Sequence, residues 1–147
     1  MNHIATHDPV PDADFVIRVD LADHGMPGRF EQLWAKQIGP TRFVLRSLPF
    51  FPYGLRSGDE VETNDDHTVQ RVVRPSGNQL LRVGLVGDGA EGTAAELHSL
   101  LEQLHLSHEW HGVNYVSVEL SGVDIPEPLR SYLEARTDGG GLHFELA

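Results

Sequence analysis

The hydrophobic period of this chain changes once, close to residue 90, and that change restricts the folds open to it. Before it, apolar residues alternate. In residues 14–20, DFVIRVD, Phe15, Ile17 and Val19 fall on one face while Val16 and Arg18 fall on the other, the period of a strand. Similar short runs at 30–38, 42–48, 60–63, 67–74 and 79–86 are separated by clusters of Gly, Pro, Asn and Asp, residues that supply turns. After it, Ala94, Leu97, Leu101 and Leu104 recur at helical spacing, and Leu129, Tyr132, Leu133 and Arg136 do so again behind Pro128. Thr93 and Glu96 have the spacing of a capping box, with Thr93 as the N-cap. Helices are therefore expected at 93–106 and 128–136 and none before residue 90. Strands are expected at 114–120 and 142–146.

Strands followed by alternating strands and helices predict an α+β fold. The expected architecture is a small antiparallel, barrel-like β-sheet at 14–78. It is fused to a split βαβ lobe of ferredoxin-like type at 79–147, with two helices on one face. Residues 79–86, QLLRVGLV, are apolar on both faces, as in a central strand. Residues 1–13 carry Pro9, Pro11 and scattered Asp without any period and are expected to be a flexible N-terminal arm.

At 147 residues the chain fits one domain or two small lobes. It has no cysteine, which excludes disulfides, thiolate chemistry and cysteine-based zinc sites. Its opening residues lack the basic start and apolar block of a signal peptide, and no apolar run approaches the roughly 20 residues of a membrane helix. A soluble, cytoplasmic protein is expected. The net charge of −11 is uneven: −4 over 1–28, +2 over 29–82 and −9 over 83–147. Such a chain repels nucleic acid and anionic membranes and is drawn to a basic partner.

Three patterns invite a chemical reading. Gly87 to Gly92, GDGAEG, spells G-x-G-x-x-G between an expected strand and an expected helix, with Glu109 further on. Asp88 and Glu91 would repel a pyrophosphate there, and too little chain follows for a dinucleotide fold. A polar strand-to-helix loop fits better, and no cofactor is expected. His105, His108 and His111 form the densest histidine group, but their spacing matches no usual ligand set and no metal is expected. Arg42, Arg46, Arg71 and Arg74, with Trp34, Phe50, Phe51 and Tyr53, have the composition of a phosphate-and-stacking surface. A solvated strand face explains them as well, and the acidic balance makes a nucleic-acid partner unexpected. No serine stands in a nucleophile-elbow motif, and no catalytic residue is assigned.

The series L-W-A at 33–35, F-V-L at 43–45, L-P-F-F at 48–51, G-L at 54–55 and G-D-E-V at 58–61 is distinctive, as are V-V at 72–73, S-G at 76–77 and Leu81-Arg82-Val83. It resembles a family of small bacterial proteins known only as a domain of unknown function. The matching residues are Trp34, Pro49, Phe50, Gly54, Gly58, Asp59, Ser76, Gly77 and Arg82. The resemblance implies a bacterial cytosolic protein and carries no activity with it.

Small size, acidity and the lack of a catalytic signature point to a non-enzymatic, acidic protein-binding or inhibitory module, of the kind an immunity protein or antitoxin would be. Its contacts to a basic partner are expected among Glu102, Glu109, Glu119, Glu127 and Glu134. One alternative is a small enzyme or anionic-ligand-binding protein. It would use the histidines and Arg82, with Arg74 and Arg46 as further anion contacts, in a cleft between the lobes. Arg82 is a cation in an apolar strand, so it must be paired or bind an anion. A nucleic-acid-associated barrel is the other alternative.

Overall fold

Period-two alternation builds six strands in the first 78 residues. The computed structural model describes residues 3–121 and 124–147, and the chain divides into two compact units, Met1–Asn78 and Gln79–Ala147. The first unit contains β1 (His3–Ala5), β2 (Phe15–Asp20), β3 (Arg29–Gln37), β4 (Arg42–Leu45), β5 (Glu60–Thr63) and β6 (Val69–Arg74). β3 is its spine. β2 pairs antiparallel along one edge, while β4 (antiparallel) and β1 (parallel) share the other. β5 and β6 follow β4 in order. The sheet curls until Arg18 meets Thr68 through a single parallel bridge, with Arg18 N–H donating to the His67 carbonyl at 2.9 Å. One bridge does not close a barrel, so the barrel-like sheet stays open. Ile17, Val19, Leu33, Ala35, Phe43, Leu45 and Val61 fill its concave face, the inward set that the alternation predicts.

Residues 1–13 were expected to be a flexible arm, and the structure corrects this. His3, Ile4 and Ala5 pair with Arg29, Phe30 and Glu31. A three-residue strand is too short to display a period, so the sequence hides it. Just beyond, His7 Nε2 lies 2.7 Å from Glu31 Oε2, and neither side chain has any exposed surface. Glu31 also accepts the Phe50 N–H at 2.7 Å and the Phe51 N–H at 3.0 Å. The His7 ring stacks on Phe50 at 4.0 Å. One carboxylate thus ties the start of the chain, β3 and the L-P-F-F segment together. Asp59 does the same for the loops of this unit: its carboxylate accepts the Arg56 N–H at 2.9 Å and the Ser76 N–H at 2.7 Å.

The second unit contains β7 (Gln79–Leu85), α1 (Ala90–Gln103), β8 (His108–His111), β9 (Tyr115–Leu120), α2 (Glu127–Asp138) and β10 (Leu142–Leu146). The sheet order is β10-β7-β9-β8 with every pair antiparallel. This is the ferredoxin-like split βαβ arrangement, with the central strand buried on both sides. Leu97 and Leu101 of α1 and Leu129 and Leu133 of α2 pack with Leu81, Val83, Val116 and Val118 on one face. One strand was expected here, at 114–120, and residues 108–111 add a second. The two make a hairpin, because Gly112 adopts φ +63° and His111 comes to lie opposite Tyr115.

The capping box does not form. Gly89 precedes the first helical residue, and Thr93 lies a turn inside, its hydroxyl donating back to the Gly89 carbonyl at 3.1 Å. Gly87 with φ +86° turns the chain early enough for the helix to start at Ala90. Glu96 instead faces α2, accepting from the Tyr132 hydroxyl at 2.9 Å and from Arg136 Nη2 at 2.6 Å. Burial and the Glu96 carboxylate together push the Tyr132 hydroxyl above its ordinary pKa.

Removing the Glu31 carboxylate strands two backbone N–H groups and the His7 ring in a dry site. Glu31→Ala is expected to destabilise the protein by about 3 kcal/mol or more, and Glu31→Gln by less. Urea titration monitored by Trp fluorescence measures both; a loss within error for Glu31→Ala would contradict this account.

Candidate functional site

The most distinctive surface of the second unit lies where α1 meets the β8–β9 hairpin. Glu91, Ala94, Ala95 and His98 recur at helical spacing and form one stripe of α1. Trp110, Gly112 and Val113 face them across a groove of about 320 Å³. Val113 is 71% exposed at the hairpin tip. The groove is apolar along its floor and acidic at the Glu91 end. β8, which supplies Trp110, is the edge strand of its sheet.

At the other end of the groove four side chains converge. His108 stands opposite Val118 in β9, which sends its ring to the helical face of the sheet together with Trp110. His108 Nδ1 lies 2.8 Å from the Leu106 carbonyl, and its Nε2 lies 3.2 Å from His98 Nδ1. Trp110 Nε1–H donates to the same His98 Nδ1 at 3.4 Å. His98 Nε2 is 3.5 Å from Glu102 Oε1, one helical turn on. Of the histidines grouped by sequence, only His108 takes part. His105 is exposed with φ +55° after the end of α1, and His111 faces the other side of the sheet, edge-on to Tyr115. Sequence spacing missed His98, although His98 and Glu102 stand four apart on the expected helix, the separation that brings side chains together.

The opposite face of this sheet carries a polar row. Glu145, Arg82, Ser117 and Glu109 are cross-strand neighbours from β10 to β8. Arg82 is only 2% exposed and Ser117 is fully buried, and all four make polar interactions. Arg82 is thus a buried, engaged cation. The five candidate glutamates do not share one surface. Glu102, Glu127 and Glu134 are exposed on the helices, whereas Glu109 and Glu119 belong to the Arg82 face.

In the first unit the arginines are largely neutralised. Arg46 pairs with Asp12 at 2.9 Å, and Arg42 reaches both Glu60 and Glu62 at 3.3 Å. Arg71 holds Glu62 at 2.9 Å, and this bond, reinforced by Arg42, keeps the Glu62 carboxyl below its usual pKa. Arg74 is exposed, opposite Glu60. Phe50 is buried against His7 and takes no part in a stacking surface with these cations. A polar cleft of about 650 Å³ in this unit is lined by Arg18, Asp20, Asp23, His24, Tyr53 and Arg71 among others. Its cations are engaged too, Arg18 with Thr68 Oγ1 at 2.9 Å and Arg71 with Glu62.

Comparison with known proteins adds a family and a fold. The family model described as Domain of unknown function (DUF4265) matches residues 31–144. The crystal structure of a hypothetical protein from Neisseria gonorrhoeae is similar, with a TM-score of 0.65 and 16% identity over 90% of this chain and 94% of that one. At that identity the likeness shows the fold alone. None of the curated proteins matches the chain. No helix among the described residues is long and apolar enough to cross a membrane.

Because Arg82 is buried, its aliphatic stem packs as well as its charge. Arg82→Met keeps the stem and loses only the polar contacts, whereas Arg82→Ala also adds a cavity and is expected to cost about 2 kcal/mol more than Arg82→Met. Thermal unfolding of the two variants separates these contributions; equal losses would show that the charge alone matters.

Proposed function

We propose that this chain, which belongs to the family described as Domain of unknown function (DUF4265), acts as a non-enzymatic protein-binding module. Its second unit receives a basic segment of another protein along α1 and the β8–β9 hairpin. The observation that carries this reading is the apolar groove with Val113 exposed at its rim, set in a strongly acidic unit. Residues 79–147 hold three arginines against eleven Asp and Glu, a net charge of −8. Of those arginines, Arg82 is buried and Arg136 is bound to Glu96. The field around the groove is therefore negative. A partner segment with apolar anchors and flanking Lys or Arg complements it, the apolar part supplying affinity and the charge supplying speed and orientation. An inhibitory role, as in an immunity protein or antitoxin, would follow if the segment belongs to a basic active site.

The alternatives have less support. An anion site at Arg82 requires an accessible guanidinium, and Arg82 is buried among its own polar contacts. A nucleic-acid surface on the first unit would have fewer open cations than its sequence suggests, because Arg42, Arg46 and Arg71 are paired with Asp12, Glu60 and Glu62.

The test is a pull-down with the wild-type chain as bait, followed by association kinetics on the purified partner. Val113→Asp is expected to weaken binding by roughly tenfold or more by placing a charge at an apolar anchor. Glu91→Lys is expected to slow association chiefly at low salt, since screening operates over about 8 Å at physiological ionic strength. An association rate that is flat from low to high salt would overturn the reading. So would binding that survives reversal of Glu91 and Glu102 to Lys but is lost when Arg42, Arg46 and Arg74 become Ala.

A further inference from the structure

The His98–His108 contact presents an unusual hydrogen-bonding arrangement. A carbonyl oxygen only accepts, so the 2.8 Å contact with Leu106 places a proton on His108 Nδ1. In the neutral ring this leaves a lone pair on Nε2. The Trp110 N–H only donates, so its contact with His98 Nδ1 identifies that nitrogen as an acceptor too. His98 Nε2, beside the Glu102 carboxylate, carries the proton of that ring. With both rings neutral, two lone pairs therefore face one another across 3.2 Å, an arrangement that a cation between them, a proton or a metal ion, relieves.

We infer that His98, His108 and Glu102 form a binding site for a divalent transition metal of the zinc type. Two nitrogen ligands at about 2.0–2.1 Å from a tetrahedral metal are separated by about 3.3 Å, close to the separation observed here. The Glu102 carboxylate is the third group, and one ligand atom from each of the three residues can be chosen so that all lie within 4.8 Å of one another. It either completes a two-histidine, one-carboxylate set or remains on His98 Nε2, where a carboxylate orients the ring and raises its basicity. Imidazole and carboxylate ligands without thiolate suit Zn²⁺, Ni²⁺ or Cu²⁺ rather than Ca²⁺ or Mg²⁺. Every ligand comes from a regular element or its end: His98 and Glu102 from one face of α1, His108 from the first residue of β8. The Leu106 carbonyl fixes the His108 tautomer, as the outer groups of metal-bound histidines commonly do. A bound metal would tie α1 to the edge strand. The site requires no partner protein, and its test is independent of the binding reading above.

Trp110 serves as a built-in reporter, its ring centroid 6.5 Å from that of His98. The full chain, freed of any affinity tag and of metal, is titrated with Co²⁺, Zn²⁺ and Cu²⁺. Co²⁺ is expected to give the intense visible absorption of a four-coordinate site at one equivalent, and Zn²⁺ to displace it. Cu²⁺ is expected to quench Trp fluorescence with the same stoichiometry. His98→Ala and His108→Ala should each weaken Zn²⁺ binding at least tenfold, while His105→Ala and His111→Ala leave it unchanged. Trp110→Phe should keep the Co²⁺ absorption and lose most of the Cu²⁺ quenching. Circular dichroism confirms that each variant is folded. Absence of stoichiometric binding to the wild-type chain would overturn the proposal. Affinity that is unaltered in His98→Ala and His108→Ala would do the same. Mg²⁺ or Ca²⁺ matching Zn²⁺ in competition would also contradict the assigned chemistry.

Discussion

The carboxylate of Glu31 holds together segments that no local preference would bring together. A three-residue strand and a Pro-rich stretch have little stability of their own, and β1 pairs with β3 over only His3 to Ala5. Burying a carboxylate costs several kcal/mol, which is offset only where its oxygens are fully hydrogen-bonded. Here they receive the Phe50 and Phe51 amides and the His7 ring. Once that site is assembled, Phe50 is clamped under His7 and the Trp34 indole donates to the His7 carbonyl at 3.2 Å. The L-P-F-F segment and the tryptophan of the family pattern therefore belong to one buried polar node. Asp59 repeats the device on a smaller scale, joining the loop before β5 to the Ser76-Gly77 turn.

The second unit is governed by side-chain period instead. Its helices have modest polar outer faces, and their leucines bury against the valines and leucines of β7 and β9. Polar groups do their work between elements: Glu96 of α1 is shared by Tyr132 and Arg136 of α2, and the Glu145–Arg82–Ser117–Glu109 row spans all four strands. Such a scaffold leaves α1 and the edge hairpin free to carry recognition. The groove, the exposed Val113 and the facing imidazoles all occur at that corner, which is where the proposed partner and the proposed metal would act. A metal there would stiffen the wall of the groove without contributing to its apolar floor.

The sequence by itself determined the α+β class, the two helices of the second unit, the central position of β7 and the burial of Arg82. These follow from periodicity and from the cost of an unpaired charge, both local in the chain. It located the two helices to within a few residues, but not the start of α1, because Thr93 and Glu96 spell a capping box while Gly87 and Gly89 let the helix begin earlier. It also left the β8–β9 hairpin concealed, since the four-residue β8 is too short to show a period of its own. What only the tertiary structure decided are the long-range polar partners. His7 and Glu31 are 24 residues apart, His98 and His108 ten, and Arg46 finds Asp12 near the start of the chain. Spacing along the chain cannot report such pairs, because strand register and helix placement bring them together only after the apolar faces have packed. The basic stripe of the sequence is met in the same way: the registers of β4, β5 and β6 set Arg42, Arg71 and Arg74 opposite Glu60 and Glu62.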